Sequence, residues 1–254
     1  MKIIISPAKK MNTDTDTLEC RSMPVFLDES AELLRWMRQL TFAQAKELWK
    51  CNDRIAEQNY RRFQEMDLES CLTPAVISYE GIQYQYMAPA VFGGAQTDYI
   101  QEHLRILSGF YGVLRPFDGV TPYRLEMQAK ASEAGSLYQF WGDKLYRETA
   151  RGEDVIVNLA SKEYSKCVEK YLTPGDRYVT VVFGELSGGK IRQKGTLAKM
   201  ARGEMVRYLA ENGVEEPAGI REFDRLGYQF DEKLSNDREY IFLKKGKEEE
   251  TDYV

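Results

Sequence analysis

The stretch Leu107–Met127, LSGFYGVLRPFDGVTPYRLEM, carries three glycines, two prolines and two arginines between an amphipathic segment and a second apolar one. Glycine frees the backbone for positive φ, proline fixes it, and arginine binds planar or anionic groups, so this spacing specifies a shaped turn and not a polar linker. Gly109 and Gly112 flank Phe110 and Tyr111 and would let main-chain amides approach a ligand closely. The preceding segment, TDYIQEHLRIL, reads as a helix with Ile100, Leu104 and Leu107 on its apolar stripe. Helix, glycine turn and second apolar segment together predict a helix-hairpin-helix-like element, which grips a phosphate backbone through N–H groups. A lone GxxG has a second reading, a glycine cap and tight turn with Phe110 and Tyr111 filling the core.

Working outward, KIIIS is a short buried strand ended by Pro7, and DVIVNLA is a near-continuous apolar run, hence another buried strand. RYVTVVFGEL and REYIFLKK read as strands, the first followed by the hairpin turn SGGK. Residues 28 to about 66 are helical in pattern, and Thr41 with Gln44 forms a capping box. AVISYEGIQYQYM reads as a strand, a break at Gly81 and a tyrosine-rich segment. SLYQFWGDKLYRETA, SKEYSKCVEKYL and TLAKMARGEMVRYLAENG are helical, the last closed by Gly213. With no regular βαβ repeat and no linker, the class is α+β. The expected organisation is a single compact mixed domain over residues 1–254, with a central sheet, surrounding helices and a tail frayed from about residue 246.

Composition narrows the function. Four scattered cysteines with no CxxC pair argue against a zinc ribbon or a disulfide framework. The one histidine, His103, sits on a helix shoulder suited to packing or a hydrogen bond, which leaves little metal or triad chemistry. There is no GxGxxG, Walker, HExxH or GxSxG motif. No cofactor and no metal site is therefore expected. No segment has spanning length, so the expected location is cytoplasmic, without membrane association. The net charge is −5, weakly against nucleic acid, yet Gly188–Leu209 holds Lys190, Arg192, Lys194, Lys199, Arg202 and Arg207 against Glu204 alone.

Four further groups of residues suit an anion. Arg115 and Arg124 lie beside prolines that pin their backbone, for a bidentate hold on carboxylate or phosphate; Arg124 could equally pair with Glu126 or Asp118. Strand DVIVNLA delivers Asn158 and Ser161 to a helix start, with Lys162 and Lys166 nearby; Ser161 reads both as a cap and as part of an anion site. In the basic helix Lys199 and Arg202 share a face, and Gly203, unfavourable in mid-helix by about 1 kcal/mol, marks a close backbone or ligand approach. Lys9 and Lys10 follow the proline bend after the first strand.

IISPAKKM, LRILSGFYGVLRPFDGVTPYRLEM, YQFWGDKL, NLASKEYSK and AKMARGEMVRYL, in this order, resemble the motifs of the peroxide stress protein YaaA family, also called DUF328 or UPF0246. The resemblance runs from the first strand to the C-terminal GYQFDEKLS and YIFLKK. It departs at YEGIQYQYM, where relatives tend to carry a GxVYxGL-like run. The resemblance implies a cytosolic bacterial protein of hydrogen peroxide resistance that binds DNA in a positively charged cleft and limits iron-dependent damage. It carries over Lys9, Arg115, Tyr123, Arg124, Ser161, Lys162, Lys199 and Arg202 as cleft residues, joined to Gly109 and Gly112 by the hairpin reading. The expected partner is duplex or distorted DNA, with little sequence selectivity and no protein partner. The alternative is an enzyme acting on DNA or nucleotides, of glycosylase or base-processing type, with Asp118 or Glu126 as its carboxylate. A third reading, direct iron binding, has few ligands to draw on.

Overall fold

The four residues of β1 (Lys2–Ile5) are all buried because they run through the middle of a sheet covered on both faces. The computed structural model describes residues 1–130, 135–152 and 155–244. The other strands of the main sheet are β2 (Leu104–Ser108), β3 (Gly112–Leu114), β4 (Val155–Asn158), β5 (Arg177–Ser187), β6 (Lys190–Arg192), β7 (Tyr228–Phe230) and β8 (Glu239–Lys244). Their order is β7-β8-β5-β4-β1-β2-β3, with β6 folded back onto the far end of β5. The five inner strands run parallel, and β3 and β7 close the edges antiparallel. Ile3 pairs with Leu104 on one side and Val157 on the other.

Helices of six or more residues pack around this sheet: α1 (Leu27–Gln39), α2 (Phe42–Trp49), α3 (Asp53–Glu65), α4 (Ile82–Met87), α5 (Gly94–His103), α6 (Lys144–Ala150), α7 (Lys162–Glu169) and α8 (Gly195–Asn212). The result is one mixed domain with a central sheet. The capping box at Thr41 and Gln44 forms, and Gly213 ends α8 in the left-handed conformation. The expected frayed tail lies outside the described residues.

Three local expectations change. The helix before the glycine pair stops at His103, and Leu104–Ser108 is a strand with every residue buried. A stripe of apolar residues fits either period, and pairing with β1 decides it. Gly109 and Gly112 accordingly lie in a β-hairpin between β2 and β3, where a helix-hairpin-helix-like element was expected. In AVISYEGIQYQYM the expected strand before Gly81 is the short helix Ala75–Ser78 followed by a two-residue strand, while the break at Gly81 is present and the tyrosine-rich segment after it is α4. The SLYQFWGDKLYRETA helix is split at Gly142, whose φ is 51°.

Both hairpin glycines are required by packing. A side chain at Gly109 would strike the Leu125 carbonyl, and one at Gly112, where φ is 74°, would meet Phe26 and Trp141 at 2.8 Å. The chain segment after Thr121 therefore lies directly on the hairpin. Ser108 Oγ accepts from the amides of Phe110 (3.2 Å) and Tyr111 (2.8 Å), so these N–H groups close the turn and are not offered to a ligand.

Gly203 has the close backbone approach that its mid-helix position implied. A β-carbon there would collide with the Gln83 carbonyl and come within 2.9 Å of Tyr86 Cβ, so α8 and α4 touch at main-chain distance. Gly203→Ala gains helix propensity worth about 1 kcal/mol but overpacks this contact at a cost of about 1–3 kcal/mol. Thermal denaturation is expected to show a lower midpoint for Gly203→Ala. Gly195→Ala, whose added methyl enters open space, leaves the midpoint unchanged or raises it.

Candidate functional site

The carboxyl ends of adjacent parallel strands β1 and β4 deliver Ser6 and Ser161 to the floor of a cavity of about 430 Å³. This is where open sheets with parallel strands commonly place ligands. Three further pieces complete the wall: α4 with Gln83 and Tyr84, the segment Tyr123–Glu126, and α8 with Lys199 and Arg202. Five cations (Lys9, Lys10, Arg124, Lys199 and Arg202) face three carboxylates (Glu80, Glu126 and Glu163) around it.

The carboxylates consume part of that positive charge. Glu126 holds Lys9 at 3.1 Å and Arg124 at 3.0 Å, and Glu80 pairs with Lys10. Arg202 is different: its side chain makes no hydrogen bond, ion pair or ring contact among the described residues. Its guanidinium is pulled below its ordinary pKa by burial. Three cavity-lining residues carry buried donor nitrogens without a partner: Gln83 Nε2, Arg124 Nε and Arg202 Nε. Gln83 is 7% exposed, so water does little for its amide. Each such group costs about 1–3 kcal/mol when unsatisfied, and all three lack an acceptor.

A buried hydroxyl relay fixes the wall. Tyr123 Oη bonds Ser108 Oγ at 2.6 Å and Tyr79 Oη at 2.8 Å, while Tyr84 donates to the Ser6 carbonyl at 3.0 Å. Burial pushes the phenols of Tyr79, Tyr84 and Tyr123 well above their ordinary range, so they stay neutral and act as hydrogen-bonding posts. Glu163 is half-buried, and its carboxyl is pushed up mainly by burial and further by Glu126, against a bond from the Gln128 amide. Two carboxyls in one cavity thus differ in environment: Glu126 forms ion pairs with Lys9 and Arg124, and Glu163 feels Lys9 only at longer range.

A family model described as Peroxide stress protein YaaA matches residues 1–234. The chain belongs to that family. A UPF0246 protein of Agathobacter rectalis is 58% identical over 247 residues, covering 96% of this chain and 99% of the relative. Those of Lachnoclostridium phytofermentans and Desulfitobacterium hafniense are 54% and 53% identical over 246 residues, covering 96% of this chain and 96% and 98% of theirs.

Of the residues selected from the sequence, Lys9, Tyr123, Arg124, Ser161, Lys199 and Arg202 line the one cavity. Lys162 does not line it and pairs with Glu169. Arg115 lines a separate hollow of about 200 Å³ with Arg105, Asp118 and Glu148. Gly109 and Gly112 are interior to the hairpin. Ser161 occupies the N-cap position of α7, but its side chain makes no cap bond; its N–H donates to Ser6 Oγ at 2.8 Å. Arg124 does pair internally, with Glu126, and still lines the cavity.

Asp118, one of the two proposed carboxylates, is a turn-former: it accepts from Ser22 Oγ at 2.5 Å and the Arg115 amide at 2.8 Å. Burial raises its pKa, and those bonds oppose the shift. Sequence reading missed Gln83 and Glu163. Glu163 stands inside NLASKEY, two residues past the cap, where first-turn position was the available signal; Gln83 had none. Among the described residues no group of three or more His, Cys, Asp or Glu is placed to hold a metal ion. None of their helices is long and apolar enough to cross a membrane.

The raised Glu163 pKa has a definite sign for stability. The folded state binds the proton more tightly than the unfolded chain, so the contribution is fully present below the ordinary value of 4.5 and is lost as pH rises through the folded value. Glu163→Gln should therefore gain stability relative to wild type as pH is raised from 4 to 8 in chemical denaturation, with the two proteins closest at the acidic end.

Proposed function

We propose that this protein serves the peroxide stress response by binding DNA through the cleft at the carboxyl ends of β1 and β4, with phosphate contacts and little sequence selectivity. The observation that carries the reading is the cluster of three unpartnered buried donors on cavity residues, beside the exposed cations Lys9 and Lys199. An anion is the group that such an arrangement lacks. Lys190 and Arg192 on β6 and Lys194 just before α8 add exposed positive charge to the chain that leads into α8, although Lys194 is held by Glu185 at 2.7 Å. Limiting iron-dependent damage would follow from occupying DNA at sites where bound iron meets peroxide.

A second reading, an enzyme acting on DNA or nucleotides, is favoured by Glu126 and Glu163 sharing the cavity in unlike environments, the arrangement that separates a proton donor from a carboxylate. Incubation with abasic, oxidised and mismatched duplexes tests it, since cleavage or base release abolished in Glu163→Gln supports it and unchanged substrates count against it.

The binding reading predicts a steep ionic-strength dependence. Log K for duplex DNA should fall with log salt by about 0.9 for every phosphate neutralised. Lys199→Gln should weaken binding similarly on all sequences and shallow the slope by about 1. Fluorescence anisotropy from low to physiological salt measures both, and a flat slope overturns the reading.

A further inference from the structure

We propose that the cavity encloses one nucleoside phosphate, the phosphoryl group taken by the donors of Gln83, Arg124 and Arg202 and the flat polar body by the remaining space against Tyr164 and Glu163. The proposal rests on the anion-binding reading of this site and names its ligand more narrowly. Volume gives the first argument. About 430 Å³ falls within the range of small-molecule pockets and is far more than one phosphate fills, a single water taking about 30 Å³. An extended phosphodiester backbone tracked along a surface needs no such depth.

The donors give the second. They come from residues on three separate elements lining the cavity, α4, the Tyr123–Glu126 segment and α8, and not from one planar fork. A carboxylate is satisfied by a single bidentate arginine in one plane, whereas a tetrahedral phosphoryl group presents oxygens in several directions. Arg202 contributes a whole guanidinium with no competing partner among the described residues. The third argument is the chemistry opposite. Glu163 takes a bond from the Gln128 amide and feels Lys9 only at longer range, with no ion pair among the described residues, which leaves an acceptor for the ring or exocyclic N–H of a base. Ser6 and Ser161 hydroxyls, 3.1 Å apart on the floor, add short-range polar contacts. Such a ligand has two sources: a nucleotide extruded from a DNA strand, or a free nucleotide.

Calorimetric titration of the full chain with inorganic phosphate, with deoxynucleosides and with the four deoxynucleoside 5′-monophosphates tests the site. At least one monophosphate is expected to bind more than 10-fold tighter than phosphate or its own nucleoside; monophosphates binding no tighter than phosphate overturn the proposal. Arg202→Met and Gln83→Leu are expected to lose at least 10-fold in monophosphate affinity while melting no lower than wild type, because each removes a buried donor without a partner. Unchanged affinity in both overturns the site assignment. A duplex carrying 2-aminopurine separates the sources: a fluorescence rise on binding identifies the extruded nucleotide, and monophosphate binding with a silent duplex identifies the free one. Steep salt-dependent duplex binding without monophosphate selectivity would leave the DNA reading standing and this inference refuted. Monophosphate selectivity without duplex binding would do the reverse.

Discussion

The contact on which the site depends is the main-chain approach of α4 to α8 at Gly203, where no side chain fits because the Gln83 carbonyl occupies the space. That contact places Gln83 and Arg202, the immediate neighbours of the touching atoms, on the same cavity wall with unpartnered donors. Helix backbones rarely come this close without glycine, and any larger residue would separate the two donor groups along with the helices. Glycine's helix propensity penalty is thus part of the geometry that concentrates positive charge over the carboxyl ends of β1 and β4.

The opposite wall is fixed by a different kind of force. Tyr123, bonded to Ser108 and Tyr79 in the interior, ties the segment bearing Arg124 and Glu126 to the end of β2, and Gly109 lets that segment lie on the hairpin itself. A buried hydroxyl relay specifies one arrangement because every alternative leaves an oxygen without a partner in a medium where that is costly. The cavity wall is then rigid where hydrogen bonds are complete and frustrated where three donors are not. Proteins usually satisfy buried polar groups. Three of the six exceptions among the described residues, all of them donors, fall on residues of one cavity, and the anion-binding proposal rests on that grouping.

Sequence and structure agree where the physics is local. The apolar run at β4, the Thr41 capping box and the Gly213 stop are each decided by a few neighbouring residues, and all were legible. The charge surplus from Gly188 to Leu209 located Lys199 and Arg202, and the strand ends of β1 and β4 located Lys9 and Ser161. Lys162 and Arg115 do not line this cavity, because spacing along the chain sets a residue near a strand end without setting which way its element faces. The hairpin was misassigned for a related reason: Ile100, Leu104 and Leu107 satisfy a helical stripe, but Leu104–Ser108 gains more by hydrogen bonding to β1.

What the sequence by itself determined is the family, the central sheet with its helices, and the type of charge gathered at the strand ends. Which cations remain without a partner was decided only by the tertiary structure. Glu126 neutralises Arg124 and Lys9 from two residues and from more than a hundred residues away, while no acceptor among the described residues pairs with the Arg202 side chain. Gln83 became part of the site through a helix contact made by a glycine far along the chain. Desolvation and pairing are properties of what surrounds a group in space, and a one-dimensional pattern does not encode them until the chain has closed around it.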